Sequence, residues 1–277
     1  MKQKRKFLLG MMLAVCGLSA SADDRRLFDE GWQFTQTDSV KMSWFGYNDK
    51  TWRTLDLPHD WAIEGDFMAT APSGASGGAL PGGIGWYRKH FNVTKADKGK
   101  KLFIDFDGVY MNAKVWINGH ELGQRPYGYS SFRYDLTPHL NYGGDNVVAV
   151  RVDNSDQPNS RWYSGCGIYR HVYLVSTDNV HVSHWGTWVN AEVQASGAAV
   201  FKLDVELDNE TGKSKKVTVV NTLLDASGRA VGSSSSAVKL AAGASRKAVS
   251  QSMTLKNPQL WSVERPYICL LYTSDAA

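Results

Sequence analysis

The segment Ser160–Gly165 holds the side chains best suited to recognising a polar ring. It follows Asn154–Asn159, which is rich in turn-forming residues, so we expect Arg161, Trp162 and Tyr163 at the end of a loop. Arginine offers fixed hydrogen-bond donors, and tryptophan offers a flat apolar surface. This pair suits a sugar, which carries hydroxyl groups and one apolar face. In the alternative interpretation the two rings cover the protein core and Arg161 pairs with an acid at a domain contact.

The neighbouring residues His59 and Asp60 could be a base and the acid that orients it. No nucleophile accompanies them in this segment. We therefore predict a fixed turn after a strand, with Trp61 packed and Asp60 hydrogen-bonded to the backbone. Asp60 can still border a sugar pocket from that position.

The remaining reactive side chains are weaker candidates for a catalytic or binding site. Cys166 lies between two glycines in an apolar segment, so we expect an inert core thiol. Of the seven histidines only His181 and His184 are close in sequence, and no carboxylate accompanies them. The sequence therefore predicts neither a metal site nor a cofactor. The glycine-rich stretch Ser73–Gly85 has no GK[ST] ending and no helical pattern after it, which favours a mobile surface loop over a phosphate cradle.

Residues 1–22 have the pattern of a signal peptide. A basic start precedes the apolar run Phe7–Leu18, and the small residues Ala20-Ser21-Ala22 form a cleavage site. The apolar run is too short to span a bilayer, so no membrane span is expected. Cleavage predicts a periplasmic or secreted protein, and lipidation at Cys16 is the alternative.

The net charge of the chain comes from this first segment. The chain has 31 basic and 27 acidic residues, and four of the basic ones lie in residues 1–22, which leaves 27 of each sign. Nucleic acid is therefore not an expected partner, because its binding needs a basic surface. Removal of Cys16 leaves Cys166 and Cys269, so we expect no disulfide framework.

The remainder of the chain predicts an all-β protein of two domains. Alternating apolar residues at 102–106 and 113–117, the tight turn Asn118-Gly119, and short apolar runs at 147–152 and 171–175 indicate a jelly-roll sandwich over residues 25–177. Residues 178–267 show a second set of strands, at 201–207, 215–224 and 246–255, with a polar loop at 232–236. That pattern is typical of an immunoglobulin-like sandwich.

Several groups of residues resemble glycoside hydrolase family 2, in particular its bacterial β-galactosidases. In the family's order they are LPHDW at 57–61, GWYRK at 85–89, DGVYM at 107–111, VWING at 115–119, SRWYSG at 160–165 and GIYR at 167–170. LWS at 260–262 and ERPY at 264–267 resemble the end of the family's immunoglobulin-like domain. The resemblance implies a galactose-binding-like jelly roll whose loop at 160–165 points toward the active site. Asn209-Glu210 also resembles the Asn-Glu pair that often precedes the catalytic acid in such enzymes. Its polar surroundings instead predict a hairpin turn of the second domain.

The resemblance further implies a third domain, a (β/α)8 barrel that carries two catalytic glutamates about 5 Å apart. Only ten residues follow Tyr267, so we expect the catalytic barrel to be absent and no catalytic residue to lie in this chain. Residues 268–277 depart from the family pattern and resemble translated sequencing adapter, which predicts a non-native tail.

Two functions follow from the sequence. The first is the non-catalytic N-terminal portion of an exported retaining glycosidase of the β-galactosidase type, whose partners are a β-galactoside and the missing barrel of the same polypeptide. Arg161, Trp162, Tyr163 and Asp60 are its substrate-pocket candidates. The alternative is a stand-alone carbohydrate-binding or adhesion protein, which the high aromatic content of 12% favours.

Overall fold

The structure, a computed structural model, describes residues 24–276 and is almost entirely β-structure. The signal segment predicted at 1–22 lies outside these residues. The only helices in residues 24–276 are four one-turn 3₁₀ helices, at Val40–Ser43, Ala62–Glu64, Lys95–Asp97 and Thr137–His139. None of them is long or apolar enough to cross a membrane.

The first domain is a sandwich of two antiparallel sheets built from ten strands. The strands are β1 (Asp24–Leu27), β2 (Trp32–Thr35), β3 (Arg53–Leu55), β4 (Gly83–Val93), β5 (Lys101–Phe106), β6 (Ala113–Ile117), β7 (His120–Arg125), β8 (Phe132–Asp135), β9 (Gly144–Asn154) and β10 (Val172–Thr177). One sheet has the order β1-β10-β5-β8 and the other β3-β2-β4-β9-β6-β7. The all-β jelly-roll prediction for this part is confirmed.

One face of each sheet forms the core of the first domain, and β5 and the centre of β9 are buried on both faces. Ile104 and Phe106 of β5 meet Val148 and Val150 of β9 in the core between the sheets. The predicted turn joins β6 to β7, and Asn118 and Gly119 both have positive φ, at 51° and 87°. That conformation suits the twist of a two-residue hairpin.

The second domain is a smaller sandwich, and its immunoglobulin-like class is confirmed. Its strands are β11 (Val180–Val193), β12 (Ala199–Asn209), β13 (Lys215–Leu224), β14 (Ala230–Leu240), β15 (Lys247–Leu255) and β16 (Leu270–Ala276). The sheet β11-β12-β15 packs against the sheet β14-β13-β16.

Two sequence-based expectations for the second domain are wrong. The polar stretch Gly232–Ser236 is the middle of β14, not a loop, because its backbone pairs with β13 along the whole strand. Its serines are tolerated because β14 is an edge strand with much of its surface open. The second domain also does not end at residue 267, because β16 pairs with β13 and Leu271 packs on the cluster of Leu203, Leu223 and Met253.

Glu210 lies at the junction between the domains. It follows Asn209, whose side chain accepts the backbone N–H of Thr211, so the predicted turn is present. The Lys101 ammonium of the first domain is 2.5 Å from a Glu210 carboxylate oxygen and 2.6 Å from Asp135. The turn that resembled a catalytic motif therefore holds an ion pair across the domain boundary.

Candidate functional site

Asp60 is fixed at one end of the first sandwich by backbone groups. The segment around it lies beside residues 166–168, since the His59 N–H donates to the Ile168 carbonyl at 2.8 Å and the Trp61 N–H to the Cys166 carbonyl at 3.1 Å. The Asp60 Oδ1 atom accepts the N–H of Ala62 at 3.0 Å and that of Cys166 at 2.9 Å. The predicted backbone-bonded turn, with Trp61 buried, is what the structure shows.

A glycine is required where these two segments meet. Gly167 has a φ of +126°, and a Cβ there would come within 2.7 Å of the His59 carbonyl oxygen and would overlap the Tyr87 hydroxyl. Only glycine accepts both the backbone conformation and the close approach. The motif GCGIYR therefore allows the loop that carries residues 160–165 to lie against Asp60.

Tyr163 joins Asp60 at the surface. Its hydroxyl donates a hydrogen bond to the Asp60 Oδ2 atom. Desolvation, followed by this hydrogen bond, raises the pKa of Tyr163 well above its usual value, so the phenol stays protonated and remains a donor. One carboxylate thereby fixes the turn at 60–62, the backbone of Cys166 and the ring of Tyr163.

The adjacent residues Arg161 and Trp162 are exposed. The Trp162 side chain is 62% exposed, so it does not cover the sandwich core. Arg161 forms none of the ion pairs found within residues 24–276. Within residues 24–276 Trp162 therefore does not pack in the core and Arg161 has no acidic partner, so the indole face and the guanidinium donors are open to solvent.

Neither the Cys166 thiol nor the His59 imidazole is activated by Asp60. Burial raises the pKa of the Cys166 thiol to about 11, against a smaller opposite effect of the hydrogen bond from Asn154, so the nucleophilic thiolate is scarce at neutral pH. Burial also lowers the pKa of His59, whose Nδ1 atom lies 2.7 Å from the Tyr87 hydroxyl. The His59 Nε2 atom lies 3.4 Å from a Glu64 carboxylate oxygen, so the ring faces Tyr87 and Glu64, and the pairing of His59 with Asp60 as its orienting acid is not present.

The glycine-rich segment forms the opposite side of a narrow cleft. Ser73 and Leu80 are buried, and the Ser73 hydroxyl donates to the Leu80 carbonyl at 2.8 Å. Gly83–Gly85 belong to β4, so the expectation of a surface loop over the whole segment is wrong. It fails because the loop folds back onto Tyr163 and Cys166, which is a tertiary contact.

The cleft is too small to hold a sugar. Its internal volume is about 20 Å³, which is room for about one water molecule. None of the residues that line it is acidic; they are Ala62, Ser73, Gly77, Leu80, Pro81, Asn154, Gln157, Asn159, Ser160, Trp162, Tyr163, Ser164, Gly165 and Cys166. Trp162, Tyr163 and Asp60 thus form an open wall, which we call the Trp162 wall, rather than a closed pocket. Within residues 24–276 no group of three or more His, Cys, Asp or Glu is arranged to hold a metal ion.

Sequence reasoning missed a group of tyrosines beside this wall. Tyr110, Tyr127 and Tyr169 each lie in edge contact with Tyr129, and the backbone of Tyr110 pairs with that of Gly167. The only signal for them was the total of twelve tyrosines. Tyr110 and Tyr169 are too far from Tyr129 in the chain to predict that they meet it.

Comparison with known proteins gives the family. The model described as "Glycosyl hydrolases family 2, sugar binding domain" matches residues 28–178, and the model "Glycosyl hydrolases family 2" matches residues 180–275. The chain belongs to glycoside hydrolase family 2. The predicted resemblance is therefore confirmed, and the family is one of glycosidases.

Similar proteins include enzymes with two different names. The beta-galactosidase BoGH2A of Bacteroides ovatus is 51% identical over 94% of this chain and 31% of its own length. A putative beta-glucuronidase of Formosa agariphila is 38% identical over 92% of this chain and 24% of its own length. The chain therefore spans about a third or less of these relatives.

Solved structures of the family have the same fold. A family 2 member from Bacteroides cellulosilyticus superposes with a TM-score of 0.86 at 34% identity, over 91% of this chain and 33% of its own. A family 2 beta-glucuronidase gives 0.86 at 32% identity, over 94% of this chain and 29% of its own. The shared fold does not distinguish the two named activities.

Proposed function

We propose that this chain is the non-catalytic N-terminal portion of an exported, retaining glycosidase that hydrolyses terminal β-galactosides. The single observation that carries the proposal is the Trp162 wall, in which Asp60 is fixed by two backbone amides and holds Tyr163 beside an exposed indole. Export is supported by the signal-like residues 1–22. The retaining mechanism follows only from the resemblance.

The wall offers three kinds of contact to one sugar ring. The exposed Trp162 face suits the apolar face of a pyranose, and Arg161 supplies donors to its hydroxyl oxygens. The carboxylate of Asp60 has lone pairs beyond those that its three bonds use, so it can accept a sugar hydroxyl. Because its position is already fixed, that hydrogen bond needs little further ordering of the protein.

This chain by itself is expected to lack hydrolytic activity. A retaining mechanism needs two carboxyl groups about 5 Å apart, one protonated and one ionised. The cleft has no acidic lining residue, and Asp60 is engaged by two backbone amides and a phenol. We expect no turnover of an aryl β-galactoside above background, and turnover that copurifies with the chain would contradict the proposal.

Galactose as the sugar rests on similarity. The β-galactosidase relative is 51% identical and the putative β-glucuronidase 38%. We therefore expect methyl β-galactoside to bind the chain more tightly than methyl β-glucuronide. Ligand-observed saturation-transfer NMR measures both at millimolar concentration. Tighter binding of methyl β-glucuronide would contradict galactose as the sugar and would favour a β-glucuronidase instead.

The wall is tested by Trp162→Ala and by a matched control. Loss of an exposed aromatic platform is expected to lower galactoside affinity about five- to tenfold. Trp188 of β11 is similarly exposed, at 64%, but lies in the second domain, so Trp188→Ala should leave the affinity unchanged. Equal effects of the two variants would show that binding is non-specific and would remove the support for this site.

A further inference from the structure

The four tyrosines beside the Trp162 wall are exposed to different degrees and form one platform. Tyr129 is central, with ring centroids 5.2 Å from Tyr110, 5.7 Å from Tyr127 and 6.5 Å from Tyr169. Tyr129 is 47% exposed and Tyr127 is 62% exposed, whereas Tyr110 is buried below them. We call this group the tyrosine platform. Two rings thus face solvent above a buried ring.

Glycines hold the platform in place. A Cβ on Gly128, between the two exposed tyrosines, would overlap the Tyr110 ring, and a Cβ on Gly108 would lie 2.8 Å from the Tyr169 ring. The Tyr169 hydroxyl donates to the Gly128 carbonyl at 2.9 Å. The backbone between Tyr127 and Tyr129 therefore rests on the rings of Tyr110 and Tyr169, which restricts where the two exposed rings can lie.

The platform is continuous with the Trp162 wall. The Tyr110 N–H donates to the Gly167 carbonyl, and the Gly167 N–H donates to the Tyr110 carbonyl, both at 2.9 Å. The Asn159 amide lies 3.5 Å from the Met111 sulfur. The loop that carries Trp162 is thus attached on one side to Asp60 and on the other to the connection between β5 and β6, which carries Tyr110.

The geometry points to a second carbohydrate subsite at Tyr127 and Tyr129, which binds the sugar units that precede the terminal residue of an oligosaccharide. Exposed aromatic faces with hydroxyl groups suit sugar rings because a pyranose offers an apolar face and hydroxyls at its edge. The matching family model for this domain is described as sugar binding. This inference rests on the proposed function, since it extends the same wall from one sugar to several.

A length series of saccharides tests the subsite on the whole chain. Saturation-transfer NMR titrations compare methyl β-galactoside with a tetrasaccharide that ends in a β-linked galactose. We expect the tetrasaccharide to bind about tenfold more tightly, which corresponds to about 1.4 kcal/mol. Tyr129→Ala should remove most of this gain and leave the affinity for methyl β-galactoside unchanged. Tyr129→Phe should retain most of the gain, because it keeps the ring.

The controls separate this inference from the proposed function. Trp188→Ala in the second domain should leave the gain intact, and circular dichroism of each variant should match that of the wild type. Equal affinity for both ligands, or a gain that survives both Tyr127→Ala and Tyr129→Ala, overturns the subsite and leaves the Trp162 wall standing. If Tyr129→Ala removes the gain in affinity but Trp162→Ala changes the affinity for neither ligand, the subsite is supported and the role of the Trp162 wall is overturned. Absence of binding by every saccharide overturns both.

Discussion

The carboxylate of Asp60 is expected to stabilise the first domain as well as to line the Trp162 wall. The stability of an Asp60→Ala variant tests the first of these roles. The substitution removes three hydrogen bonds, to the Ala62 N–H, the Cys166 N–H and the Tyr163 hydroxyl. Hydrogen bonds to a charged group contribute about 1.5–3 kcal/mol each, and an unpaired buried amide costs about 1–3 kcal/mol. The Ala62 and Cys166 amides bear most of this cost, since both residues are buried.

Solvent reduces the contribution of the phenol. The Tyr163 side chain is 38% exposed, so water can replace Asp60 there. We therefore expect the free energy of unfolding to fall by about 2–4 kcal/mol in total. For a domain of this size, that corresponds to a decrease in Tm of roughly 10 °C.

Urea unfolding followed by tryptophan fluorescence measures this loss. Asp60→Asn should lose less, because its amide oxygen can still accept the Cys166 N–H. Asp66→Ala removes an exposed aspartate nearby and should change the free energy of unfolding by less than about 0.5 kcal/mol. If Asp60→Ala were as stable as Asp66→Ala, the inference that this carboxylate holds the loop would be refuted.

Three further substitutions or conditions test the structure. Arg88→Met should lower the free energy of unfolding by about 3–5 kcal/mol by urea titration, because it leaves the buried Asp49 carboxylate with His90 alone and also frees the Met42 and Trp44 carbonyls. A loss below about 1 kcal/mol would contradict the buried network. Gly167→Ala should lower the free energy of unfolding by about 2–4 kcal/mol in the same assay, because its φ is positive and the new Cβ would meet the His59 carbonyl. Gly197 also has a positive φ but open space around it, so Gly197→Ala should lower this free energy by less. Cys166 should react with a disulfide reagent only slowly at neutral pH in the folded chain and quickly in urea, and equal reaction rates would show that the folded thiol is accessible. The folded domain should also lose stability as pH rises from the ordinary thiol pKa toward about 11, because only the unfolded thiol ionises in that range.

Most strands could be predicted from the sequence because their side chains alternate. The buried residues of β12 and β13 repeat with a period of two, so one face of each strand is buried. The strand at 230–240 could not be predicted in this way, since its centre is Gly232–Ser236 and carries no apolar pattern. Its pairing with β13 comes from backbone hydrogen bonds, which side-chain patterns do not encode.

The candidate site was predicted in part for a similar reason. The turn at His59–Trp61 and the exposed loop at Arg161–Tyr163 follow from local residue types. The sequence alone could not decide whether Trp162 packs in the core or stays open, because that depends on what lies above the loop. The structure decides it, since the loop is held by Asp60, which lies 103 residues away from Tyr163 in the chain.

By itself the sequence determined the all-β class, the two sandwiches and the family, since alternation, turn residues and ordered motifs are local properties of the chain. Only the tertiary structure decided that Asp60 fixes Tyr163, that the glycine-rich segment closes a cleft with room for about one water, and that four separate tyrosines meet beside it. The physical reason is that these contacts join residues far apart in the chain, and their energies depend on burial and distance, which exist only once the sheets have packed.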